Sequence, residues 1–369
     1  MGRRLTRPSS RLAVDSGARL RSLSVPVAVD SRPPLLTNLR GAVHFPSMRS
    51  RDQSLSRRDA VKIGIGAGLA LTLDGATVLS AAPFRASVQG AGLVLRVIPS
   101  SGEKLPVIGI GTARNYENPT TPEQLAPLRE VLRRFPELGG RVIDSAPSYG
   151  RAEEVVGDLL AELKNRDKYF VATKVSVRGG GDRAAAVAQM EQSLRRFRTD
   201  HVDLMQVWNL SSPEMILPVL DEWKSAKRLR YTGVTTSSKG QYDQLESLMK
   251  SHRFDFIQVD LAIDNRSAQE RLLPLAQDRG MGVLVNLPFG RSRVFSKVQG
   301  KPLPDFAREV DVTSWAQLFL KYIAGHPAVT TVIPGTERSD FLADNMGAAH
   351  GRMPDAAMRK RIESFFDAL

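Results

Sequence analysis

The 369-residue chain contains no cysteine. Disulfides, cysteine nucleophiles and thiolate metal sites are therefore excluded. The absence leaves the compartment open, because a cysteine-free chain tolerates either redox environment. Histidine is scarce as well: His44, His201, His252, His326 and His350 are the whole set. None ends a segment that reads as a strand, which argues against a metal-dependent barrel hydrolase or lyase. No metal is expected. No G-x-G-x-x-G follows the first strand candidate, which weakens a dinucleotide-binding open sheet. The N-terminal apolar run is too short for a convincing membrane span, and Asp74 interrupts it.

What is abundant is positive charge, and it is unevenly placed. The net charge is +13. Residues 1–58 hold twelve arginines and three aspartates, a surplus of +9, leaving +4 for the other 311 residues. The basicity belongs to the N-terminal arm. The body carries no basic stripe or stacking platform, so no nucleic-acid partner is expected.

Residues 1–47 are rich in Arg, Ser and Pro without apolar periodicity, and read as a disordered basic arm. Met48 is a second candidate start. A basic stretch then ends in Ser56-Arg57-Arg58-Asp59-Ala60-Val61-Lys62, followed by an apolar run from Ile63 to Leu73 and small residues at Ser80-Ala81-Ala82. That order makes a signal peptide over 48–86. Its paired arginines beside a glycine-containing, weakly apolar run resemble the twin-arginine class. The expected partner is the twin-arginine export machinery, and the expected location periplasmic or otherwise extracytoplasmic. Pro83 sits badly after Ala82 for cleavage, so a membrane tether through an uncleaved signal stays open. The body is assigned to 87–369.

From Val107 onward, short β-branched runs alternate with helical patterns. The strands are expected at Val107–Ile110, Arg141–Asp144, Phe170–Lys174, Val202–Val207, Arg230–Val234, Phe256–Val259, Gly282–Asn286 and Val329–Ile333. Continuous apolar runs suit parallel strands buried on both faces. Val187, Met190, Leu194 and Phe197 fall at helical spacing, as do Ile216, Val219, Leu220 and Trp223. Pro122, Asp182 and Pro213 mark helix starts. Eight such repeats over about 250 residues predict an α/β fold of the (β/α)8 TIM-barrel class. A doubly wound open sheet is the alternative.

Active sites of such barrels lie at the C-terminal strand ends. There the sequence offers Asp144, Lys174, Trp208, Thr235, Gln258, Asn286 and Gly335, with Tyr149 in the second connection. A free tyrosine titrates near pH 10, too high for efficient proton donation at neutrality. A nearby ammonium lowers that value, and a carboxylate holds the ammonium in place. Tyr149, Lys174 and Asp144 together read as a proton donor for carbonyl reduction.

The stretches Gly109-Ile110-Gly111-Thr112, Ile143-Asp144-Ser145-Ala146 running into Ser148-Tyr149-Gly150 with Glu153, Thr173-Lys174, Asp203-Leu204-Met205-Gln206-Val207 and Ile333-Pro334-Gly335-Thr336 resemble the aldo-keto reductase family, over about Leu93 to the C-terminus. The resemblance implies a small-molecule aldehyde or ketone substrate and a nicotinamide cofactor. It makes Tyr149 the proton donor, Lys174 its partner and Asp144 the residue orienting Lys174. It places Gly111, Thr112, Thr235, Gln258, Asn286, Gly335, Thr336, Arg338 and Asn345 at the cofactor. Gln258 would meet the carboxamide. Thr336 and Arg338 match the grip on the adenosine phosphate, which favours NADPH, with NADH second. Asp344 and Asn345 fall where an acid–Asn pair lies near the adenine.

The pattern breaks at three points. Trp208 stands where the family has a histidine that bonds the substrate carbonyl; an indole donates a hydrogen bond but cannot accept one. Asn286 replaces a tyrosine that stacks on the nicotinamide, and Thr235-Thr236 replaces a Ser-Asn pair. Two functions follow. One is an exported NADPH-dependent carbonyl reductase using Tyr149. The other is a non-catalytic ligand-binding or sensory protein on a degenerate scaffold.

Overall fold

The computed structural model describes residues 92–177 and 181–369. The arm and signal expected over 1–86 lie outside them. The described chain begins with an antiparallel hairpin, β1 (Leu95–Val97) against β2 (Lys104–Pro106). Strand–helix repeats follow: β3 (Ile110–Gly111), α1 (Pro122–Arg134), β4 (Val142–Asp144), α2 (Ala152–Leu163), β5 (Phe170–Val175), α3 (Arg183–Phe197), β6 (Val202–Trp208) and α4 (Pro213–Ser225). The second half runs β7 (Leu229–Thr235), α5 (Tyr242–Ser251), β8 (Phe256–Asp260), α6 (Ala268–Asp278), β9 (Gly282–Asn286), α7 (Arg293–Val298), α8 (Trp315–Ala324), β10 (Thr331–Val332), α9 (Ser339–Gly347) and α10 (Ala356–Asp367).

Local chemistry sets these boundaries. Pro122 opens α1 behind a Thr121–Gln124 capping box. Asp182 caps α3 by accepting from Ala185 N–H at 2.9 Å. Pro213 is the first residue of α4.

Strands β3 to β10 are parallel and pair in chain order. The ends of the sheet meet, Ile108 bridging to Val332 and Gly111 to Gly335. A Cβ on Gly109 would stand 2.8 Å from the Val142 carbonyl oxygen, so this close approach requires glycine. The architecture is the (β/α)8 barrel. Its first and last strands are shorter than the expected Val107–Ile110 and Val329–Ile333, because pairing at the seam falls on single residues. The hairpin has no counterpart in the sequence reading. The connection over 288–304 holds α7, whose Val294, Phe295 and Val298 are buried.

Residues two apart on a strand face the same side. On the inner faces, Val142, Phe170, Leu204, Tyr231, Phe256, Leu284 and Ile333 pack with Ile98 and Leu105 of the hairpin. Phe170, Tyr231 and Phe256 touch pairwise, with ring centroids 5.6 to 6.1 Å apart. Apolar packing closes the floor. One or two inward positions further along, the same strands carry Asp144, Lys174, Gln206, Thr235, Gln258 and Asn286. Polarity is thereby confined to the C-terminal mouth.

Candidate active site

Strand β5 brings Lys174 inward, and the adjacent β4 ends on Asp144. Both are almost fully buried, with 2% and 3% exposure. Lys174 Nζ donates to Asp144 Oδ2 at 2.7 Å and to the Ser145 carbonyl at 2.6 Å. Gln206 Nε2 makes a long 3.5 Å bond to Asp144 Oδ1. Burial pushes the lysine pKa down, but Asp144 and Tyr149 outweigh it, so Lys174 stays above the usual lysine value and charged.

Tyr149 lies in the β4–α2 connection, partly exposed, with its ring centroid 5.2 Å from Lys174 Nζ. The Lys174 charge is the strongest influence on the phenol and pulls its pKa down. Burial, Asp144 and Glu117 push it up, and the net direction is upward. The sequence reading expected the ammonium to lower this pKa; its charge does so, but its partner carboxylate and the surrounding burial cancel the effect. A raised value keeps the phenol protonated at neutral pH.

Trp208 ends β6 and stands edge-on to Tyr149, with ring centroids 6.3 Å apart and planes at 84°. It is half-buried at the mouth. His201 begins the same strand's approach at the opposite end and is bonded to Asp200, so it cannot reach Tyr149.

The other candidates divide into two kinds. Some face the mouth with unmet hydrogen-bonding capacity. Both amide atoms of the fully buried Gln258 lack partners, as do Gln206 Oε1 and Asn286 Oδ1. Leaving such groups unsatisfied costs about 1–3 kcal/mol each, so a ligand that pairs with them gains affinity. A carboxamide, with one donor and one acceptor end, fits the Gln258 amide. Others hold the scaffold. Thr112 is buried; its hydroxyl bonds the Asp144 carbonyl at 3.0 Å and Ser145 Oγ at 2.9 Å, fixing the end of β4. Gly111 sits at the seam, where a Cβ would meet the Ile333 carbonyl oxygen at 3.0 Å. Thr235 is buried on the inner face of β7. Thr236 bonds Gln241 Oε1 at 2.6 Å.

Past β10, Gly335 is exposed and Thr336 buried, and Asn345 Nδ2 donates to Thr336 Oγ1 at 3.0 Å. Arg338 precedes α9, pairs with Asp340 and lies over the Phe341 ring at 4.7 Å. A helix start with an arginine suits a phosphate. Asp344 accepts from Gln317 Nε2 at 3.0 Å, which ties α9 to α8.

Two contributors escaped the sequence reading. Gln206 was quoted only as part of a matching stretch; the period-2 pattern Leu204, Gln206, Trp208 is the signal that puts it inside the barrel. Glu153 is 1% exposed and binds Thr173 Oγ1 at 2.6 Å, Ser193 Oγ at 3.1 Å and Arg196 at 3.2 Å. Burial raises its pKa. It joins α2, α3 and β5 immediately behind Lys174.

The sequence profile of the aldo/keto reductase family matches residues 107–365. The chain belongs to the aldo/keto reductase family. Among this family's proteins, aldo-keto reductase YhdN of Bacillus subtilis is 31% identical over 172 residues, 42% of this chain and only half of YhdN. Methylglyoxal reductase YeaE of Escherichia coli is 28% identical over 244 residues, 64% of this chain and 84% of YeaE. A Klebsiella pneumoniae aldo-keto reductase solved with NADPH shares the fold at a TM-score of 0.61 and 24% identity, covering 74% of this chain and 96% of that one. In this aldo/keto reductase family member the strand ends thus carry Asp144, Lys174 and Trp208, with Tyr149 above them.

Proposed function

We propose that this chain reduces the carbonyl of a small molecule, with NADPH as reductant and Tyr149 as proton donor. The observation that carries the reading is the buried Lys174–Asp144 pair set beside the Tyr149 phenol. Bound nicotinamide would supply a hydride to the carbonyl carbon. The chain's own residues serve the oxygen. Tyr149, held protonated, gives its proton there. Lys174 then balances the phenolate charge, and Asp144 holds Lys174 in place. The indole N–H of Trp208 offers the same oxygen a hydrogen bond but no proton, so acid catalysis rests on Tyr149 alone.

Relatives solved with NADP or NADPH support the cofactor, and the unsatisfied Gln258 amide and Arg338 are the residues that would hold it. NADH is the weaker choice. Methylglyoxal, the substrate in the name of YeaE, is the first probe. With it, NADPH consumption by Tyr149→Phe should fall about 10²–10⁴-fold. Turnover indifferent to that substitution refutes the assignment.

Trp208 favours a second reading, ligand binding without turnover, because its bulky ring stands edge-on to Tyr149, where a substrate carbonyl would have to approach. Trp208→His separates the two. Activity created from none means the natural chain has lost its chemistry.

We also propose that segment 48–86 sends the folded, loaded barrel out of the cytoplasm. Lysine at both Arg57 and Arg58 should retain it inside; unaltered export removes this reading.

A further inference from the structure

We propose that the N-terminal face of the barrel, opposite Tyr149, docks on an anionic lipid surface. This face is made of the helix-to-strand connections and the β1–β2 hairpin. Over residues 92–109, 135–141, 164–169, 198–201, 226–228, 252–255, 279–281 and 325–330 it holds eleven Lys and Arg against five Asp and Glu. That surplus exceeds the whole body's +4, so the charge is concentrated on this face and the rest of the body is slightly acidic. On the N-terminal face the proposed reaction uses none of it.

The charge is available. The ion pairs of this face use Arg141, Arg166, Arg198, Arg228, Arg230 and Lys224. Lys104, Lys164, Lys168 and Lys227 are left exposed to solvent. Two clefts of about 610 and 520 Å³ open between these side chains, with Lys164 on one and Lys227 on the other, and are wide enough for lipid headgroups.

Apolar surface lies in the same place. Among the described residues, the large hydrophobic side chains left exposed are Leu95 and Val97, at 42% and 48%. Both are on the hairpin, and Lys104 is the partner of Val97 in register. Exposed apolar side chains on a lysine-bearing face are the composition of a membrane-surface contact.

The route of the chain supplies the last argument. Leu93 bridges to His350, and Val94 N–H donates to the Ala349 carbonyl at 2.8 Å. Those residues follow the C-terminal end of α9, so the chain joins the barrel at this face. The preceding 91 residues, with the apolar run Ile63 to Leu73, therefore attach on the side that carries the basic surface. A bilayer docked on this face would meet its lysines, and the Tyr149 mouth would face away from it. The inference is independent of the proposed reduction, because vesicle binding is measured without turnover.

The test uses the full chain and vesicles of phosphatidylglycerol with phosphatidylethanolamine, against vesicles of phosphatidylcholine. The combined Lys104→Glu, Lys164→Glu, Lys168→Glu and Lys227→Glu variant keeps the N-terminal segment and, if folded, the same melting temperature. Its affinity for the anionic vesicles should fall about a hundredfold, and wild-type binding should weaken with salt. Because the chain lacks cysteine, Val97→Cys can carry a polarity-sensitive dye; it should shift blue on vesicles, while Lys239→Cys at the mouth should not. Equal binding by the reversed variant overturns the proposal, as does a response at position 239 instead of 97. Removal from vesicles by duplex DNA at equal phosphate would reassign the surface to nucleic acid and also overturn it. For a variant that fails to fold, the dye pair in the otherwise natural chain decides alone.

Discussion

Replacing Lys174 with methionine should damage stability and chemistry through separate routes. Lys174 and Asp144 are 2% and 3% exposed and 2.7 Å apart. Once the ammonium is gone, Asp144 keeps only the long 3.5 Å contact from Gln206. Breaking a buried pair from one side costs about 3–5 kcal/mol. Against a total of about 5–15 kcal/mol, that is a large fraction of the fold's stability. The melting temperature should drop by roughly 10 °C for a domain of this size. The double variant Lys174→Met with Asp144→Leu removes the stranded charge and should recover most of the loss. Neither variant should turn over substrate, because the strongest downward influence on the Tyr149 phenol is missing in both. Urea unfolding followed by circular dichroism, with an unchanged slope, gives the stability; NADPH consumption gives the chemistry. A single variant within about 1 kcal/mol of wild type refutes the buried pair. A double variant no more stable than the single refutes the explanation by stranded charge.

Gln258→Leu removes the unsatisfied amide and should leave the fold as stable or slightly more so, while NADPH binds about tenfold or more weakly; unchanged affinity in a fluorescence titration would detach Gln258 from the cofactor. Lys321 is fully buried on α8, donates to the Val310 and Arg352 carbonyls, and is pulled by burial down to about 8. Its folded pKa lies below the unfolded value of 10.5, so the unfolded chain binds more protons between the two. Stability should therefore rise with pH across that window by about 3 kcal/mol, and Lys321→Met should flatten the rise; parallel profiles for the two proteins would refute it.

Much of the fold was legible because its signals are local. β-Branched runs gave the strands, and Pro122, Asp182 and Pro213 gave helix starts that need only their neighbours to act. The hairpin was not legible: Leu95–Val97 and Lys104–Pro106 have three residues each, too few to show a period. Its existence depends on Glu103 and Ser101 meeting Tyr231, more than a hundred positions away. Asp144 and Lys174 were visible as residue types at strand ends, and Tyr149 as a tyrosine in the connection after the first of them. The balance at Tyr149 was not, since it depends on burial and on Glu117, which reaches the phenol only in three dimensions. Glu153 stood in a quoted motif without a role, because its partners Thr173, Ser193 and Arg196 come from two other elements.

Trp208 is where sequence and structure constrain each other most. The sequence says only that a tryptophan ends this strand. The structure adds that the indole is partly exposed and edge-on to the Tyr149 ring. An edge-to-face aromatic contact is worth about 0.5–1.5 kcal/mol beyond area burial. That is enough to hold the tyrosine ring in one orientation. The indole thus fixes the Tyr149 ring and supplies a single N–H, with no group of its own that accepts or carries a proton. Chemistry in such a site should depend on pH through Tyr149 and the substrate alone. A rate profile with a single limb, falling as the phenol ionises at high pH, follows from that arrangement; a second, acidic limb near a histidine's ordinary range, removed by no change at Tyr149, would contradict it.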